Sequence, residues 1–281
     1  MDSRLYWRRL RMGLQTLLGI KRQGFFIPYR YADGIAETQP LYAEMAALMQ
    51  AQEAAFRSLL AVIHGHAADF AAFGQGRQAG SPRFDQDWFP TLDAAAAYAL
   101  VRQWRPARIV EVGSGHSTRF LARAVLDGGF ACRITAIDPA PRASLRGLNV
   151  DFRPGIAQSA DPAVFAALQP GDLLFIDSSH ILMPGSDVDW LFNRVLPRLP
   201  VGIRLHIHDI FLPDDYPAGW AWRGYNEQQA IPALLAGGGW RLDFASHYAA
   251  TRLGAEVDAA LAGLPRAASG LPASLWLTKQ A

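Results

Sequence analysis

Arg108-Ile109-Val110-Glu111-Val112-Gly113-Ser114-Gly115-His116-Ser117-Thr118 decides the fold of this 281-residue chain. The apolar, β-branched run 108–112 reads as a buried strand. Gly113 and Gly115 permit a tight turn whose backbone can approach a ligand closely. The helix predicted over Thr118–Leu126 would present unpaired N–H groups there. Twenty-three residues beyond Gly115, a second apolar run, Arg133–Ile137, ends at Asp138. A carboxylate there can accept both hydroxyls of a ribose, although Asp138 before Pro139 also suits an ordinary turn.

Working outward, further short apolar runs read as strands at Asn149–Phe152, Asp172–Ile176 and Ile203–Ile207, with two late ones at Trp240–Ser246 and Ala273–Thr278. Between them, Pro162–Leu168, Asp187–Leu196 and Glu227–Leu235 have helical spacing. Near-continuous apolar strands alternating with helices mean a parallel sheet covered on both faces. The expected fold class is α/β, a Rossmann-like doubly wound sheet whose ligands gather outside the strand carboxyl ends. Upstream, Asp93–Trp104 and a long stretch from Thr38 to about Phe73 read as helix, and 74–82 as a glycine-rich loop. The division predicted is an N-terminal helical extension or lid over 1–90 and a main domain over 91–281.

Composition removes several function classes. With 51% hydrophobic and 19% charged residues the chain can bury a sizeable core, which excludes a disordered protein. No run approaches the ~20 apolar residues of a spanning helix. The single cysteine, Cys132, excludes a disulfide framework and a multi-thiolate zinc site. Basic residues are 25 arginines and two lysines, a bias read as genomic rather than functional.

Residues 1–31 hold seven basic side chains against Asp2 alone, a net +6, which leaves −4 for the rest of a chain of net charge +2. No nucleic-acid partner is expected of so mildly acidic a body. Leu10, Leu14, Leu17 and Leu18 make 4–20 an amphipathic helix with an arginine-rich side. It is read first as a cap on the domain or on a homodimer, then as a membrane-surface contact. The Arg8-Arg9 pair invites an export reading, but no small-residue cleavage site follows, so the default location is cytoplasmic. The stretch Phe25–Tyr31 is expected to pack on the body or line a cleft.

The dinucleotide fingerprint wants a third glycine where this chain has Thr118, and Glu111 would repel a pyrophosphate while suiting an ammonium group. Both departures favour an adenosyl amino acid over NAD. Here the sequence resembles class I S-adenosylmethionine-dependent methyltransferases. Glu111-Val112-Gly113-Ser114-Gly115, continuing through Ser117, is similar to that family's first motif, and Asp138 to its ribose-binding acid. Ile156, in Arg153-Pro154-Gly155-Ile156-Ala157, falls where an adenine-contacting residue would sit. The resemblance covers about 91–281. It implies a seven-stranded sheet with one reversed strand, S-adenosyl-L-methionine as cofactor, and methylation of a small molecule on a hydroxyl. Rival readings are an NAD-dependent oxidoreductase and a non-catalytic adapter that binds S-adenosylmethionine.

Two more strand ends carry chemistry: Phe175-Ile176-Asp177-Ser178-Ser179-His180 and His206-Ile207-His208-Asp209. So many titratable groups against apolar strands are costly without a partner, which marks a site. In one reading Asp177, His208 and Asp209 bind a divalent metal, resembling the metal-dependent catechol-type O-methyltransferases. In that family a carboxylate and a carboxylate–amide pair serve, and His208 departs from the pattern toward transition metals. In the reading preferred here no metal binds, and His180 or His208 is a general base oriented by Asp177 or Asp209. Asp177 is also a candidate cofactor-binding residue. Strand alternation places His206 and His208 on one face and Ile207 and Asp209 on the other, unless the strand has ended by then. His206 is read as core packing. The aromatic loop 211–227 is a candidate substrate wall, as are Trp88 and Phe89, with core packing the plainer reading for that pair. Asn226 suits a helix N-cap.

Overall fold

The computed structural model describes residues 3–36, 38–73 and 80–281; most of the expected glycine-rich loop at 74–82 lies outside them. Seven strands form one sheet: β1 Arg108–Val112, β2 Arg133–Asp138, β3 Asp151–Pro154, β4 Leu173–Ile176, β5 Arg204–Ile207, β6 Trp240–Ala245 and β7 Leu275–Lys279. Their order is β3-β2-β1-β4-β5-β7-β6, and only β7 runs against the rest. This is the doubly wound sheet that the strand pattern implied, with the one reversed strand that the family resemblance implied. β1 lies at the centre, with Ile109 beside both Ile134 of β2 and Leu173 of β4. Every residue of β4 is buried, whereas β3, at an edge, alternates between half-buried and exposed. That contrast follows from being covered on two faces or one.

Helices α5 (Thr91–Trp104) and α6 (His116–Gly128) flank the sheet. The long helix expected over 38–73 is instead three: α2 Ala43–Gln50, α3 Glu53–Gly65 and α4 Ala67–Ala71. The break before α4 is stabilised by His66, whose Nδ1 lies 2.8 Å from Asp69 Oδ2. These breaks let Met49, Phe56, Ile63 and Phe70 all enter the same core as the strands. Phe56 meets Phe244 of β6 edge-on at 5.4 Å, and Phe70 meets Tyr98 of α5 at 5.3 Å. The helix expected at 187–196 starts as α8 (Asp187–Trp190), then widens into a π turn over Leu191–Val195 and tightens at Leu196–Arg198, where Pro197 lacks a donor. Two helices were not foreseen: α10 Ser246–Arg252 and α11 Gly254–Ala260; Ala249, Leu253 between the two helices, and Val257 are buried in the core at four-residue spacing.

The N-terminal helix α1 (Ser3–Leu17) buries none of its residues. It caps no core among the described residues. Nor does the stretch after it pack down: Phe25, Phe26, Ile27, Tyr29 and Tyr31 are all exposed. No described helix is long and apolar enough to cross a membrane.

Candidate active site

Neighbouring strands pin the turn after β1. The Gly113 N–H donates to Ile137 O at 3.0 Å, and the Asp177 N–H donates to Val112 O at 2.8 Å. Gly113 has φ +79°, and a Cβ built on it would lie 1.7 Å from the Asp177 carbonyl oxygen. Only glycine fits. Gly115, at φ +151°, is approached by Ala143 N, which a Cβ would meet at 3.0 Å. Thr118, where a dinucleotide site would have its third glycine, turns its hydroxyl back to accept the Gly115 N–H at 2.9 Å.

The acids around this turn are differently occupied. Asp138 Oδ2 accepts the Ser114 N–H at 2.5 Å and the Ser114 hydroxyl at 3.1 Å, while Oδ1 accepts the Ala140 N–H at 2.6 Å. Asp138 therefore shapes its own turn and also ties β2 to the glycine loop. Of a carboxylate's roughly four lone-pair sites three are in use, so space for one ligand hydroxyl remains rather than the pair expected. Glu111 is wholly buried; its Oε1 accepts the Ser117 hydroxyl at 2.6 Å and its Oε2 has no partner. Burial pushes its pKa up to about 8. Ile156, on the turn after β3, leaves half its surface open, beside Gly155, whose N–H donates to Asp138 O.

Asp177 joins this loop to a second cluster. β5 ends at Ile207, one residue before His208, and Asp209 takes φ +57°. The strand has thus ended before alternation could separate them, and His208 and Asp209 converge. His180, itself at φ +59°, places Nε2 3.4 Å from Asp177 Oδ1 and 3.3 Å from Asp209 Oδ2. His208 Nδ1 lies 3.5 Å from Asp177 Oδ1 and 3.4 Å from Asp209 Oδ1. The far nitrogen of each ring meets a fully buried acid: His180 Nδ1 to Glu227 at 3.0 Å, His208 Nε2 to Asp93 at 3.2 Å.

Burial opposes charge on His180, but Asp209, Asp177 and Glu227 outweigh it and hold the ring's pKa well above 6.5. His208 is raised in the same way, with burial opposed by Asp177, Asp209 and Asp93. Burial also works against ionisation of Asp177, and the two imidazoles reverse that. Glu227 is raised by its burial, against the pull of His180.

Asp93 and Glu227 were missed in the sequence. Asp93 also accepts from Ser246 Oγ and from the backbone N–H groups of Ala273 and Ser274, binding α5 to the ends of β6 and β7. The available signal was an acid heading the apolar run Ala94–Ala97, all of it buried. Asn226 does not cap a helix: its side chain spans the Leu182 backbone, accepting its N–H at 2.6 Å and donating to its carbonyl at 3.2 Å. The Tyr225 ring sits 4.6 Å from that of His180, so the aromatic loop does reach the cluster. Phe89 is buried 5.3 Å from the His208 ring, while Trp88 stays exposed under the Arg142 guanidinium. His206 stacks on Phe175 at 3.7 Å inside the core. The three expected metal ligands, Asp177, His208 and Asp209, do meet. Yet among the described residues no group of three or more His, Cys, Asp or Glu is already gathered to hold a metal ion.

Residues 110–210, which run from β1 through the end of β5, match a family described as a methyltransferase domain. This part of the chain is a methyltransferase domain. No curated protein matches it. Among solved structures, the chain is similar to the O-methyltransferase TomG of Streptomyces achromogenes (17% identity, 66% of this chain and 78% of that one, TM-score 0.39). It is also similar to CmcI with magnesium and S-adenosylmethionine (17%, 74% and 82%, 0.41) and to PaMTH1 of Podospora anserina (15%, 92% and 100%, 0.43). The methyltransferase's own residues fit the cofactor. The two glycines of the turn after β1, Gly113 and Gly115, leave its backbone open to a close approach, and an orphaned carboxyl oxygen on Glu111 suits an ammonium donor.

Proposed function

We propose that the chain methylates a hydroxyl of a small molecule, with the His180–His208 cluster taking the hydroxyl's proton. The observation that carries this is the cluster's position: Asp177 forms the wall of the glycine loop with its backbone and touches both imidazoles with its side chain. Cofactor and proton acceptor are thus neighbours. Gly113, Ser114, Gly115, Ser117 and Asp138 hold the nucleoside and loop, Glu111 meets the ammonium, Ile156 backs the adenine, and Asp177 separates cofactor from cluster. When bound, S-adenosylmethionine supplies an electrophilic methyl group on a sulfonium. A hydroxyl becomes a competent nucleophile as its proton moves to His180 Nε2, and Glu227 on Nδ1 stabilises the imidazolium so formed. Tyr225 and the 211–227 loop enclose the acceptor. Residues 91–281 are read as the catalytic unit and 1–90 as the extension, which contributes Phe89 against His208.

Because the carboxylates hold His180 protonated at neutral pH, its base form is the minor one there. The rate should therefore rise with pH beyond 6.5 and level off only above the raised pKa. His180→Ala should cost ~10²–10⁴-fold in kcat and flatten that rise, leaving cofactor affinity in place. A variant with unchanged kcat and pH profile would remove His180 from the mechanism.

A second reading is favoured by one observation. The four contacts of 3.3–3.5 Å within the cluster exceed the ~2.7–2.9 Å of charge-assisted hydrogen bonds. Each ring is also oriented from behind by a carboxylate, as metal-bound imidazoles are. On this reading Asp177, His180, His208 and Asp209 would close on a divalent transition metal in place of the shared protons. Elemental analysis of the purified protein, with activity before and after chelation, separates the two.

A further inference from the structure

We infer that residues 3–31 dock the enzyme on the surface of an anionic lipid bilayer. On α1, Tyr6, Leu10, Leu14 and Leu17 line one side with Trp7 beside them and Leu18 just past the helix end, and each is 38–70% exposed. Arg8, Arg9 and Arg11 lie off this stripe at helical spacing, and all three are exposed. The apolar surface continues past the helix through Ile20, Phe25, Phe26, Ile27, Tyr29 and Tyr31, with Lys21, Arg22 and Arg30 interspersed.

An apolar stripe with tryptophan and leucine, bordered by arginines, is the pattern of a helix lying in a membrane interface. Tyrosine and tryptophan suit the headgroup level because one end is apolar and the other polar. At 1.5 Å per residue, the 15 residues of α1 give a rod of about 22 Å, too short to span and suited to lying flat.

Charge decides between a bilayer and a second copy of the chain. Pairing α1 with its symmetry mate would bring two segments of net +6 together, since a two-fold interface presents the same patch twice. Anionic headgroups instead match the segment's sign, with each basic residue near the surface adding to the attraction. Because α1 buries no residue, changes there leave the core intact.

The test is flotation of the full-length protein with vesicles of phosphatidylcholine alone or with 30 mol% (about a third) phosphatidylglycerol, a content that gives a strongly negative surface. Binding to the anionic vesicles only, weakened by salt, is expected. The triple variant Arg8→Glu, Arg9→Glu, Arg11→Glu should bind at least ~10-fold more weakly. Leu10→Ser with Leu14→Ser should do likewise, with Tm unchanged in both. Failure of the wild type to float with anionic vesicles would overturn the inference. So would equal binding to neutral vesicles, or a solution dimer that Leu14→Ser converts to monomer.

Discussion

Glu111 is the residue where burial and ligand chemistry conflict most visibly. Its carboxyl group is wholly enclosed, one oxygen has no partner, and burial raises its pKa from the usual 4.5 to about 8. The unliganded protein therefore carries it mostly protonated at pH 7. The penalty for ionising it inside the fold is absent below pH 4.5 and grows until about pH 8, so the empty enzyme loses stability across that window. A ligand ammonium reverses the preference, because it pairs with the carboxylate form. Cofactor binding at pH 7 should then release close to one proton and tighten as pH rises toward 8. Calorimetry in buffers of different ionisation enthalpy reads this directly. Glu111→Gln should abolish the proton release and weaken binding roughly tenfold, the scale of a hydrogen bond to a charged group. Identical proton release in the variant would place the linkage elsewhere. Glu111 was legible in the sequence as a charge beside a glycine turn. Its missing partner was not, since that depends on how closely Ser117 and the strands close around it.

At the scale of elements, the site is made by where strands stop. β1 ends in a turn that tolerates no side chain at 113, because the backbone of the β4 end occupies that space. Gly113→Ala combines a φ of +79° with a Cβ 1.7 Å from Asp177 O. It should cost several kcal/mol in urea unfolding and displace Asp177, so activity should fall together with stability. Near wild-type stability would mean the two strand ends are not packed as described.

The strands themselves were readable because a sheet covered on both faces leaves uninterrupted apolar runs. Their ends were harder. Alternation predicted that His208 and Asp209 diverge, but β5 stops at Ile207 and a positive φ at Asp209 redirects the chain. The acids that position the two rings were hidden for a different reason. Asp93 lies 115 residues from His208, and Glu227 lies 47 from His180. Neither spacing leaves a periodic trace, because only the tertiary fold brings these groups into contact.

Across the whole molecule, charge and apolar surface are segregated. The helices from Ala43 onward share one core with the sheet, and Phe56 and Phe70 sit in it as fully as the strand residues do. The first 36 residues stand apart: no described residue among them is buried, and most of the chain's exposed large apolar side chains lie there. In this account the chemistry belongs to the strand carboxyl ends and the docking to the basic segment. Both parts had a sequence signature, one in its glycine turn and one in its arginines. What the sequence did not reveal is that the intervening helices belong to the core, because the spacing that makes a helix does not say what it packs against. All of the chemistry depends on the turn after β1 receiving S-adenosylmethionine. Titration calorimetry with S-adenosylhomocysteine tests this most directly. Wild-type protein should bind one equivalent and ignore NAD, and Asp138→Ala should bind at least ~10-fold more weakly, as loss of a charge-assisted hydrogen bond requires. No binding by the wild type, or equal affinity in the variant, would contradict it.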